Sequence, residues 1–479
     1  MMKRTAVINI VGLDRSLMGS ATPLLSSFAR RRRVSAIKPA FPAVTCTAQS
    51  NYLTGSLPTA HGIVGNGWYD RNLAEIHFWK QSNHLVTAPK IWDELRRTVP
   101  GFTCANIFWW YNMYSTADYS ITPRPMYPAD GRKLFDIYSW PYSIRSEIKR
   151  DLGEFPFATF WGPAAGSASP QGGPDAASLW IAASAKWIEQ KFAPTLSLIY
   201  LPHLDYNLQR LGPAHPAIAT DLGRIDAIAG DLIAFFEARN VEIVLLSEYG
   251  ITEVNRPIHL NRMFRARGWL TVKDELGREM LDAGASKVFA VADHQVAHVY
   301  LNDTTLESEV RGLLESVAGI GAVLGGEQRQ QIGLDHPRAG DLIAAAEEDS
   351  WFTYYYWMED DRAPDFSRCV DIHRKPGYDP VELFLDPSIP WAKAKILWRL
   401  AQKKLGFRML MDVIPLDASL VKGSHGSRPS TSLHFPILAG DPTRMPDRPE
   451  FLSTEVYDVL KWHVTGVENS RRDSGEERR

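Results

Sequence analysis

Thr45 stands in FPAVTCTAQSNYLTG (41–55), a segment of small and hydroxyl side chains with few charges, and Asn66 follows in HGIVGNGWYD (61–70). A threonine at a helix N-terminus can act as a nucleophile, and a nearby amide can hold the anion that develops. Acidic residues extend this chemistry. Asp14 follows the first apolar run, Asp205 follows SLIYL (197–201) with Gln209 one helical turn later, and Glu248 and Tyr249 close EIVLLS (242–247). Ligands of open α/β sheets collect outside the carboxyl ends of the strands, so acids at three such ends share one rim. Converging carboxylates repel each other unless a cation lies among them, and a divalent metal is therefore expected.

The elements that must position these groups are legible as apolar periodicity. TAVINIVGL reads as a fully buried strand ended by Gly12, and SLIYL, EIVLLS and KVFAVA (287–292) repeat the pattern. Helical patterns fall between them, as in AASLWIAASAKWIEQKF (176–192) and IATDLGRIDAIAGDLIAFFEAR (218–239). This alternation predicts an α/β fold with a mixed, mostly parallel sheet flanked by helices on both faces. From residue 261 to 335 the elements shorten and VADHQVAHVYLND alternates, which reads as a smaller inserted α+β lobe. The predicted core is then 1–260 plus 336–465, with a polar tail at 466–479 expected to be disordered. His294 and His336 flank the lobe, and they are candidate substrate-binding groups together with Arg338 and Tyr249.

Composition narrows the function classes. A net charge of −2 over 479 residues gives no basis for expecting a nucleic acid partner. Three scattered cysteines exclude a disulfide framework and a cysteine zinc site. The N-terminal apolar run is broken by Asn9, too short for a leader or a membrane span, so a cytoplasmic location is the expectation. Aromatic residues cluster at 107–120 and 351–357, which hold four of the fifteen tryptophans, and buried core is the simpler reading there than a substrate platform.

Taken together, FPAVTCTAQSNYLTG and HGIVGNGWYD resemble the nucleotide pyrophosphatase/phosphodiesterase branch of the alkaline phosphatase superfamily, with its FPTxTFPNHYxLxTG and HGIxxNxxYD motifs. The resemblance continues through residues 195–213, LLSEYG and VKGSHGSRP. It implies an alkaline-phosphatase-like fold, Thr45 as the nucleophile and Asn66 as a ligand to the phosphoryl oxygens. It also implies metal ligation by Asp205, Gln209, Glu248 and His425, with Asp14 as a substitute for the family's first-strand carboxylate. The implied activity is metal-dependent hydrolysis (or transfer) of a phosphoester, phosphodiester or pyrophosphate bond of a small phosphorylated molecule, through a phospho-threonine intermediate. Two zinc ions about 4 Å apart would activate the Thr and stabilise the leaving oxygen. This chain departs from the pattern at Val11, Gln209 and Tyr249, so one ion, and Mg, Mn or Ca as well as Zn, fit the remaining oxygen-rich set. The alternatives are a non-catalytic binder of a phosphorylated small molecule and a phosphonate-bond hydrolase.

Overall fold

The computed structural model describes residues 2–167 and 172–468. The tail expected to be disordered falls, from 469 onward, outside the described residues. Its core strands are β1 (Thr5–Ile10), β2 (Arg33–Lys38), β3 (Cys104–Ile107), β4 (Tyr119–Pro123), β5 (Ile137–Trp140), β6 (Leu196–Leu201) and β7 (Glu242–Leu246). Four more, β8 (Val288–Asp293), β9 (Val296–Leu301), β10 (Ile320–Gly325) and β11 (Leu342–Ala346), form a separate sheet. Two late strands, β12 (Ile437–Gly440) and β13 (Glu450–Leu452), return to the core.

The main sheet has nine strands in the order β13-β2-β12-β7-β1-β6-β3-β4-β5. Its central run from β7 to β4 is parallel throughout. Antiparallel β12 joins β7 to β2, and β5 closes the other edge. Every residue of β1 and of β6 is buried, as expected of parallel strands covered on both faces. Helices α1 (Pro23–Arg30), α3 (Ala176–Phe192) and α5 (Ile218–Glu237) pack together over the sheet, and α2 (Thr45–Thr54) packs with α7 (Val456–Thr465). Two further helices are α4 (His203–Leu211), which follows β6, and α6 (Ala392–Lys404).

The second sheet runs β8-β9-β11-β10 and is antiparallel throughout. The predicted lobe boundary at 335 therefore cuts this sheet, because β11 at 342–346 pairs with β9 and β10 and not with the core. LIAAA is short and uniformly apolar, and such a run does not declare which sheet it joins. The aromatic segment at 351–357 is buried, in line with a packing role.

A buried ion cluster holds the loop beside the candidate site. Lys375 Nζ lies 2.6 Å from Asp379 and 2.8 Å from Glu382, and all three side chains are buried. Glu382 also accepts from the Trp161 indole N–H at 2.5 Å. Lys375→Met is expected to cost about 3–5 kcal/mol, because it leaves two carboxylates buried without their cation. A fall in the urea midpoint at constant m-value measures this.

Candidate functional site

Register brings the key residues level. Asn9 of β1 sits opposite Tyr200 of β6 and Leu246 of β7, so the residues that follow those strands meet at one edge of the sheet. Thr45 is the first residue of α2, whose residues are all buried. A buried helix built from small polar residues must satisfy each of them internally. Ser50 and Thr54 donate to carbonyls one turn back, Tyr52 donates to the Ser247 carbonyl, and Asn51 is held between His61 and Ser453. Gly55, in the left-handed region, ends the helix.

Around Thr45 the side chains cross-link one another. Its Oγ1 lies 3.3 Å from the Tyr249 hydroxyl, which donates to Asp205 Oδ1, also at 3.3 Å. Gln209 Nε2 donates to Asp205 Oδ2 at 2.6 Å, and the Tyr378 hydroxyl donates to Gln209 Oε1 at 3.0 Å. Glu248 Oε1 accepts from Asn9 Nδ2 and Gln49 Nε2, each at 2.6 Å. Its Oε2 takes no such amide donor. Burial pushes Glu248 up to about 8, against the pull of Gln49, Asn9 and Thr45. Burial likewise pushes Asp205 up to about 7, against the hydrogen bonds from Gln209 and Tyr249.

Four rings form a column over this web. Tyr249 stacks on His425 with centroids 3.5 Å apart, His294 lies 3.7 Å from His425, and Tyr378 lies 3.6 Å from His294. Burial pushes His425 down to about 3 and His294 well below its usual range, so both imidazoles are neutral. His425 Nδ1 is 2.7 Å from the Ala43 carbonyl, which can only accept. The proton therefore resides on Nδ1, and Nε2 presents a bare lone pair with no hydrogen-bond partner.

These residues form the floor of a cleft of about 2280 Å³. Thr45, Asp205, Tyr249, His294 and His425 line it. Lys80, Arg124 and Arg374 supply positive charge on its walls, and Trp79, Trp110, Trp161 and Tyr378 supply aromatic surface. The expectation of carboxylates meeting at one edge holds for Asp205 and Glu248, both within this web.

Several predicted residues lie elsewhere. Asp14 caps the short turn that follows β1, accepting from the Ser16 and Leu17 N–H groups and from His434, away from the cleft lining. Arg338 donates to the carbonyls of Gly62 and Leu85 and lies over the Trp68 ring, and His336 accepts from the Arg338 N–H. Both brace the turn at 62 and do not line the cleft. Asn66 is buried behind Thr45: its Oδ1 accepts from the Cys46 N–H, and its Nδ2 and N–H donate to Asp293. Asn66 thus ties the start of α2 to Asp293, whose carboxyl burial raises to about 7. Gln49 and Tyr378 escaped assignment from sequence. Gln49 carries a signal, since it lies one turn after Thr45 on the same helix face. Tyr378 carries none.

The donor set does not fit the paired divalent ions that the resemblance implies. Both oxygens of Asp205 and Oε1 of Glu248 are engaged by amides and a phenol. Val11 is apolar core, Gln209 offers its oxygen to Tyr378, and burial keeps the Tyr249 phenol protonated. Among the described residues no three His, Cys, Asp or Glu side chains are placed to hold a metal ion. Asp205, Gln209, Glu248 and His425 are instead tied into internal hydrogen bonds and ring stacking, with Glu248 Oε2 and His425 Nε2 left without a hydrogen-bond partner.

Comparison with known proteins agrees with this architecture. The profile of the type I phosphodiesterase / nucleotide pyrophosphatase family matches residues 5–379. An uncharacterized pyrophosphatase/phosphodiesterase of Schizosaccharomyces pombe is 25% identical over 257 residues, 51% of this chain and 44% of that protein. The match thus spans less than half of that relative's length. Murine ectonucleotide pyrophosphatase/phosphodiesterase 5 superposes with a TM-score of 0.57 at 15% identity, over 97% of this chain and 95% of its own. Phosphonoacetate hydrolase from Sinorhizobium meliloti superposes with a TM-score of 0.59 at 14% identity, over 97% and 96%. These two structures share the fold. Among the described residues no helix is long and apolar enough to cross a membrane.

Proposed function

The chain belongs to the type I phosphodiesterase / nucleotide pyrophosphatase family, and on that footing we propose that it hydrolyses a phosphodiester, pyrophosphate or phosphonate bond of a small molecule, with Thr45 as nucleophile. One observation carries this reading: Thr45 begins α2 on the cleft floor, between the Tyr249 hydroxyl and a buried carboxyl, Glu248, raised to about 8. A carboxylate with that proton affinity is a far stronger base than an exposed one. Glu248 takes the Thr45 proton as the Oγ–P bond forms and the bond from phosphorus to the leaving group breaks. Water then cleaves the phospho-threonine, so that one water is consumed in total. Lys80, Arg124 and Arg374 on the cleft walls offset the charge of the phosphoryl oxygens.

A second reading, binding of a phosphorylated ligand without turnover, is favoured by the engagement of the Asn66 amide behind the helix. Release of 4-nitrophenol from bis(4-nitrophenyl) phosphate and from a 4-nitrophenyl phosphonate ester separates the two. Hydrolysis is expected to persist in EDTA and to change less than about twofold on adding Zn²⁺, because both Asp205 oxygens and Glu248 Oε1 are already engaged by internal donors. Saturable binding of both esters with no product would favour the second reading.

A further inference from the structure

The cleft concentrates positive charge. Nine lysine and arginine side chains and four aspartates line it, in a chain whose net charge is −2. Asp130 is paired with Arg132, Asp371 is paired with Arg374, and Asp205 belongs to the web around Thr45. Lys80, Arg124, Lys133, Lys393, Lys403 and Arg408 line the cleft and form no ion pair among the described residues. Like charges gathered in one concavity raise its potential, and a ligand that carries negative charge relieves their repulsion.

Four of these six lie on α6, the segment after it and the loop it meets. Lys393, Ile396, Leu397, Leu400 and Lys403 recur at helical spacing, so one face of α6 runs from cation through apolar groups to cation, and all five line the cleft. Lys403 Nζ donates to the Lys133 carbonyl at 3.1 Å and lies 5.8 Å from the Phe135 ring. Arg408 lies beside Gly131 of the same loop. Phe135 stacks on Phe157 with centroids 4.5 Å apart and planes 2° from parallel. This wall is open to a ligand: Phe135 is 49% exposed, Leu397 68% and Phe407 66%, and all three line the cleft. Apolar surface set among unpaired cations is complementary to an apolar body that carries negative charge. The cleft volume of about 2280 Å³ exceeds the roughly 300–1,000 Å³ of a pocket for one compact ligand, so an extended one has room. A second copy of this wall would instead set like charges against each other.

We propose that Lys133, Lys393, Lys403 and Arg408 form a second anion subsite, and that the substrate is a phosphorus ester whose non-reacting part is an apolar body bearing at least one further negative charge. The substrate class rests on the hydrolytic reading above, whereas the subsite is tested without turnover. Pyrene-1-sulfonate and pyrene-1,3,6,8-tetrasulfonate share one aromatic body and differ in charge, and titration of the full chain into each is followed by pyrene fluorescence. The tetrasulfonate is expected to bind at least about 10-fold more tightly at low salt, with the difference largely lost at about 0.5 M salt. Lys403→Glu and Arg408→Glu are each expected to weaken tetrasulfonate binding at least about fivefold and, for the exposed Arg408, to leave the thermal midpoint unchanged. Lys404→Glu makes the same charge change on an exposed neighbour outside the cleft lining, and it is expected to alter binding less than about twofold. Equal affinity of the wild type for the two probes, or an equal loss in Lys404→Glu, overturns the subsite. So does self-association that excludes both probes, since a second copy would then fill the cleft mouth. Tight tetrasulfonate binding without hydrolysis of any ester would support the subsite and overturn the hydrolytic reading alone.

Discussion

Thr45→Ala is expected to lower the rate of aryl phosphodiester hydrolysis by at least about 10³-fold, with KM little changed, because it removes the attacking oxygen and leaves the cleft in place. Thr45→Ser keeps a hydroxyl at the same position and is expected to retain most of the lost rate. The fold should tolerate both changes. Losing one buried hydroxyl costs about 1 kcal/mol, and the rest of α2 is held by its own network. The decisive comparison is kcat of the Ala variant against wild type at matched purity. Unchanged hydrolysis by Thr45→Ala would sink the assignment of the nucleophile, and with it the covalent intermediate.

The second large effect concerns pH and Glu248. Folded Glu248 holds its proton up to about 8, whereas an unfolded Glu releases it near 4.5. The sign follows from linkage. This group's contribution to stability is fully present below the unfolded value and is lost as pH rises through about 8. Asp205 and Asp293, both raised to about 7 by burial, act in the same direction. The thermal midpoint of the wild type is therefore expected to fall between about pH 4.5 and pH 8, and Glu248→Gln should fall less steeply because the amide never ionises. Activity has the opposite slope. The base form of Glu248 exists only above its raised value, so kcat should climb toward about pH 8 in the wild type, and Glu248→Gln should lose that climb along with most of the rate. A variant that keeps the wild-type rate profile while flattening the stability profile would assign Glu248 a purely structural place.

Much of the arrangement was legible in the chain itself. TAVINI, LSLIYL and EIVLL are apolar without interruption, as only strands covered on both faces can be, and they became the parallel centre of the sheet. Where such strands end, a ligand site follows from topology, and Asp205 and Glu248 were identified on that ground. Thr45 was legible from its motif and from the helix start it occupies. The short run at 342–346 was misplaced, since an apolar pentapeptide carries no record of its pairing partner.

What the sequence alone determined is the fold class, the position of Thr45 and the acids near it, because each depends on local periodicity or on a contiguous motif. How those groups are used depends on contacts made across the fold. Asn66 turned away to Asp293, Asp14 capped a turn, Arg338 and His336 braced a wall, and Tyr378 arrived from far along the chain to complete a ring column. The physical reason is that a side chain's protonation and partners depend on which distant groups share its buried space. Hydrogen bonds and desolvation act over a few ångströms in three dimensions, and spacing along the chain does not encode them.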